Sequence, residues 1–133
     1  FVVAEDVQFF DDGVIDQYSE GNSTDYNIRV SNSGSGNRFN YGGTEQYTFN
    51  FVRGATYRFF QEDSSNTSHP LRLSTTSNGT HGGGSEYTTG VSINGSPGNP
   101  GAFVQLSVNN TTPDLYYYCT AHPGMGNDAL LTT

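Results

Sequence analysis

The 133-residue chain has no tryptophan, one cysteine and one methionine. It also has no lysine: its five basic residues are all arginines, set against 13 acids for a formal charge of −8. One cysteine excludes an intrachain disulfide, so cysteine usage says nothing about an oxidising compartment. A nucleic-acid footprint needs a basic face, which five scattered arginines do not supply, and nucleic acid is excluded as a partner. No run approaches the roughly 20 apolar residues of a membrane span, so none is expected. No leader is visible ahead of Phe1, and the chain reads as processed or trimmed. Helical periodicity of apolar residues is absent too. What is present is turn and strand material: 17 glycines, nine tyrosines and nine phenylalanines, with abundant serine, threonine and asparagine. This is the composition of an all-β chain, long enough for one domain with its own core.

Charge divides the chain. Six of the 13 acids and none of the arginines fall in residues 1 to 20, leaving seven acids against five arginines in the rest. Phe1, Val3, Val7 and Phe9 alternate within that acidic stretch, and Gly21-Asn22-Ser23-Thr24 reads as a linker. Residues 1–24 are therefore expected to form an extended N-terminal tail and linker, and 25–133 the domain. Within the domain, Tyr26, Ile28 and Val30 alternate as a half-buried strand should. Strands follow at Arg38 to Tyr41, Gln46 to Val52 and Thr56 to Glu62, with Tyr47, Phe49 and Phe51 facing Tyr57 and Phe59. Residues 74 to 101 form a polar, glycine-loaded connection far longer than usual, which follows the His69 strand and reads either as a loop lying near the end of the fold where His69 sits or as a loose surface loop. Alternation resumes at Val104, Leu106 and Val108, then in the tyrosine strand at 116–118, and Leu130-Leu131 closes the series. Seven or eight short strands at this spacing predict a Greek-key β-sandwich.

The only cysteine and the only methionine lie together, in Tyr116-Tyr117-Tyr118-Cys119-Thr120-Ala121-His122-Pro123-Gly124-Met125-Gly126. A strand end followed by Pro123, Gly124 and Gly126 places C-x-x-H-x-x-M on a strand terminus and the loop beyond it. Thiolate, imidazole and thioether are soft-to-borderline donors and suit copper better than oxygen-seeking cations. A blue-copper site takes two imidazoles, a thiolate and a weak axial ligand, so a second histidine must come from elsewhere. His69 enters a short apolar-alternating strand, Leu71-Arg72-Leu73, and backbone there can hold its ring. His81 sits among Gly79, Gly82, Gly83 and Gly84, which cost much entropy to fix, and it reads as a solvated loop residue.

A histidine at a strand start, followed about fifty residues later by a Tyr-Cys-x-x-His-x-x-Met loop, resembles the cupredoxins, the small blue-copper β-sandwich proteins. The metal loop is most similar to those of the amicyanins and plastocyanins, and the resemblance runs from about Tyr26 to the C-terminus. It implies His69, Cys119 and His122 as trigonal ligands of one type-1 copper and Met125 as the axial one. One position departs from the family. The residue after the first histidine is usually an asparagine whose backbone N–H donates to the cysteine sulfur; here it is Pro70, which has no N–H. The thiolate is thus expected to lack that donor, with a consequence for redox tuning.

Two functions from different classes follow. One is an extracellular or cell-surface (or periplasmic) copper-binding domain that passes single electrons to a redox partner protein. With no substrate pocket or second copper cluster legible, it is not expected to be an enzyme. The other is a structural subunit of a homopolymeric filament, in which the N-terminal tail adds a strand to a neighbouring copy and the metal site is structural or vestigial. N-x-S/T triplets at Asn22, Asn66, Asn78, Asn94, Asn109 and Asn110 would accept glycans in an exported glycoprotein.

Overall fold

Alternation in the sequence becomes burial in the fold. A computed structural model describes residues 19–20 and 23–132. Its strands are β1 (Ser19–Glu20), β2 (Ser23–Ser31), β3 (Arg38–Tyr41), β4 (Thr44–Glu45), β5 (Phe49–Val52), β6 (Thr56–Phe60), β7 (Leu71–Ser74), β8 (Val91–Asn94), β9 (Phe103–Ser107), β10 (Leu115–Cys119) and β11 (Asp128–Thr132). Two 3-10 turns, Ser64–Asn66 and Gly79–Gly82, are the only helical elements among the described residues. None of them is long and apolar enough to cross a membrane.

The strands form two mixed sheets. One runs β4-β3-β2-β6-β9-β8, with β1 paired to the start of β2, and the other runs β5-β11-β10-β7. Pairing is parallel between β2 and β6 and between β5 and β11. The inward residues of both sheets meet in a single buried cluster: Tyr26 and Ile28 from β2, Tyr57 and Phe59 from β6, Phe49 and Phe51 from β5, and Leu115 and Tyr117 from β10. Ring centroids stand 4.4 Å apart for Phe51 and Tyr57, and 5.1 Å for Phe49 and Phe59. Two sheets closed on one apolar layer make a β-sandwich. Each fully buried phenylalanine contributes about 2 kcal/mol of transfer free energy.

The structure departs from the sequence expectation in four places. The described residues hold eleven strands rather than seven or eight, because β1 and β4 are two-residue pairings and β8 lies inside the long connection. The expected strand from Gln46 to Val52 begins only at Phe49. Gln46 has φ +55°, a left-handed conformation that no strand continues through. The expected linker is half strand: Ser23 and Thr24 open β2 and pair with Thr56 and Tyr57. The connection from 74 to 101 is anchored rather than a loose surface loop. Tyr87 N–H donates to Leu73 O at 2.6 Å, Ser74 Oγ donates to Ser85 O at 2.7 Å, and Val91 to Asn94 pair with β9. Gly79, at φ +55°, rests on the Tyr118 ring so closely that a Cβ there would collide with it. The acidic stretch before Ser19, and with it strand addition to a neighbouring copy, lies outside the described residues.

Candidate metal centre

β7 and β10 are antiparallel neighbours, with Cys119 opposite Leu71. That register puts the residues just before β7 beside those just after β10, and the Thr120 N–H donates to Pro70 O at 3.1 Å to tie the two segments. His69 is 9% exposed, and its backbone is fixed from the core side. Buried Gln61 spans it, donating from Nε2 to His69 O at 2.7 Å and to Asn66 Oδ1 at 3.1 Å, while Gln61 Oε1 accepts from Leu71 N–H at 3.0 Å. Asn66, fully buried, donates to Ile28 O at 2.8 Å, and its own carbonyl accepts from His69 N–H at 2.8 Å. Ser68, directly ahead of His69, is held at φ +68°. Such a conformation costs a non-glycine residue of order 1 kcal/mol and persists where surrounding contacts fix it.

Cys119 ends β10 facing inward and fully buried, whereas His122, three residues on, is exposed. Cys119 Sγ lies 3.7 Å from His69 Nδ1 and 3.8 Å from His122 Nδ1. The two imidazole rings are tilted at 48° with centroids 4.8 Å apart. All three donor atoms lie within 4.8 Å of one another. The two sulfur–nitrogen separations fit a metal ion. With metal–nitrogen bonds of about 2.0 Å and metal–sulfur bonds of about 2.3 Å, donors spread at 120° stand roughly 3.7 Å apart from sulfur to nitrogen. His69, Cys119 and His122 are thus a group that could hold a metal ion. Met125 is 1% exposed within the core cluster, its carbonyl accepting from Phe39 N–H at 2.9 Å.

Electrostatics favours the same use. Burial, and then the neighbouring His122, hold His69 below its ordinary pKa, so its ring is neutral and its lone pair available at neutral pH. Burial pushes the Cys119 thiol up, while the nearby backbone N–H groups of Ala121 and His122 pull it the other way. A cation at the site would supply what is still needed to hold the thiolate. Pro70, with no N–H of its own, offers the sulfur no donor from the His69 side.

His81 stands outside the donor group, yet it is not idle. Its Nε2 lies 2.8 Å from Cys119 O, and the ring packs edge-on against Tyr118 at 6.3 Å. Gln46 and Asn78 complete the frame: Gln46 Nε2 donates to Gly124 O and to Gly126 O at 3.1 Å each, and Asn78 Oδ1 accepts from Gly124 N–H at 2.9 Å. Sequence reasoning missed this outer layer. Only Gln61 left a trace, because it occupies the inward position that continues the Tyr57, Phe59 alternation, where a polar side chain must find partners. Gln46, Asn78 and His81 reach the site across 38 to 80 residues of sequence, and no local pattern encodes such pairings. The fold also sorts the glycan triplets. Asn66 is buried and committed; Asn94, Asn109 and Asn110 are exposed.

The chain matches no model of a known protein family, no curated protein and no solved structure.

Proposed function

We propose that this chain is a cupredoxin-like, exported domain that binds one type-1-style copper ion through His69, Cys119, His122 and Met125, and that it carries single electrons rather than catalysing a reaction. The observation that supports this reading most is the convergence of two Nδ1 atoms on one buried sulfur at 3.7 and 3.8 Å, at the end of a β-sandwich. Two imidazoles and one thiolate with a nearby thioether are the donor set of blue copper, whereas structural zinc is closed by four cysteine or histidine ligands. Copper supplies a one-electron couple. The protein supplies a frame that does not rearrange: Gln61 fixes His69, the β7–β10 register fixes Cys119, and Phe39, Gln46 and Asn78 fix the Met125 loop. His122, the one exposed member, is where a redox partner protein would approach. An extracellular or cell-surface setting is supported by the exposed acceptor triplets at Asn94, Asn109 and Asn110.

Metal analysis and an absorption spectrum of protein isolated without chelators test the reading. One copper per chain with an intense visible thiolate band is the expected result. Colourless protein holding zinc, or no intense band after loading with cupric ion, overturns it.

A further inference from the structure

The loop that carries Met125 is gripped on both sides of that residue by one side chain. Gln46 Nε2 donates to the carbonyls of Gly124 and Gly126, the two residues flanking Met125, at 3.1 Å each. Gln46 is itself fixed: its N–H donates to Phe39 O at 2.8 Å, and its carbonyl accepts from Asn127 Nδ2 at 2.8 Å. Phe39 closes the circuit by donating its N–H to Met125 O at 2.9 Å. The backbone of Gln46 sits at φ +55°, a region that glutamine does not choose unaided. That conformation ends the expected strand and turns the amide towards the loop. Strain of this kind marks a position that its surroundings over-determine.

We propose that Gln46 is the positioning residue for the axial donor, setting where the Met125 thioether stands relative to His69, Cys119 and His122. This rests on reading Met125 as the axial ligand. Methionine is unbranched, with three rotatable bonds and a weakly coordinating sulfur, so neither its rotamers nor its affinity for a metal can define its place. Control has to come from the backbone at either side, and there the amide of Gln46 holds the carbonyl of the residue before Met125 and that of the residue after it at once. Outer-layer hydrogen bonds orient ligands in this way and tune the site they surround.

Because the chain has a single methionine, one methyl resonance reports Met125 without ambiguity. In metal-free protein labelled at the methionine methyl, wild type should give one sharp signal, and Gln46→Leu, similar in size but unable to donate, should shift and broaden it. Gln105→Leu, which removes a hydrogen bond to Arg58 far from the site, should leave it unchanged. An unmoved methyl signal in folded Gln46→Leu overturns the proposal whether or not the protein binds copper. In copper-loaded protein, Gln46→Leu should shift the visible band, and the same substitution in a Met125→Leu background should add nothing further, since coupled residues are not additive. An equal shift with and without the thioether means that Gln46 acts on the site by another route and also overturns the proposal. Absence of any visible band in wild type counts against copper binding, and the metal-free methyl signal then decides the role of Gln46 by itself.

Discussion

The two chain segments that meet at the site are held in opposite ways. The His69 segment is gripped from beneath, by Gln61 and Asn66 at 2% and 0% exposure, so it is part of the core's own polar network. The segment from Thr120 to Gly126 is gripped from its flanks, by Gln46, Asn78 and Phe39, and it leaves His122 in solvent. A buried, fully bonded amide is costly to lose because its partners are orphaned in low dielectric. A flank contact is cheaper and its loss is local. In the copper reading proposed above, the difference is a division of labour: a fixed ligand would preserve geometry and an exposed one would face a partner.

The most damaging change should be at the atom both segments share. Cys119→Ser removes the softest ligand and the charge-transfer donor, and is expected to abolish tight copper binding and the intense visible band. A surviving band in that variant would refute the assignment of the sulfur. The two histidines should then separate. His122→Gly opens a hole at the surface that added imidazole can fill, restoring the band. His69→Gly opens one beneath the loop that imidazole enters far less readily. Equal rescue of both would erase the contrast in burial, and loss of affinity in His81→Gly without loss in His69→Gly would show that His81, and not His69, is the ligand.

Gln61→Leu tests the network directly. It strands Leu71 N–H and His69 O, and is expected to cost about 3 kcal/mol of stability in urea unfolding of the metal-free protein. Copper affinity should fall roughly tenfold, as outer-layer changes do. A cost under about 1 kcal/mol would mean that water replaces the amide. Pro70→Asn restores a backbone N–H able to reach the Cys119 sulfur and is expected to shift the redox potential or the copper affinity modestly; indistinguishable potentials for the two proteins would show that no donor is needed there.

The smallest effect concerns the short strand that leads into Gln46. Hydrogen bonds from Ser31 and then Ser33 hold the Glu45 carboxyl below its ordinary range. Its folded pKa is therefore lower than its unfolded one. The stabilisation is complete above the ordinary glutamate range and is lost as pH falls through the lowered value. Glu45→Gln should flatten that part of the acid unfolding profile, with little effect on the metal site.

Some of this was determined by the sequence alone. Period-two alternation in Tyr26-Ile28, Tyr57-Phe59 and Val104-Leu106 fixes which side of a strand is apolar, and a pattern of that kind is local and survives without tertiary context. The C-x-x-H-x-x-M spacing likewise confines three donors to one loop. Tertiary structure alone decided the rest. Whether His69 or His81 joins that loop depends on the β7–β10 register, a pairing of residues nearly fifty positions apart. Gln46 lies in a stretch whose local propensity predicts strand, and only its long-range bonds to Gly124, Gly126, Phe39 and Asn127 hold it in the left-handed conformation that grips the Met125 loop. Hydrogen bonds between distant residues leave no periodic trace in a chain, because each partner satisfies a local rule, or breaks one, for a reason that lies elsewhere in the fold.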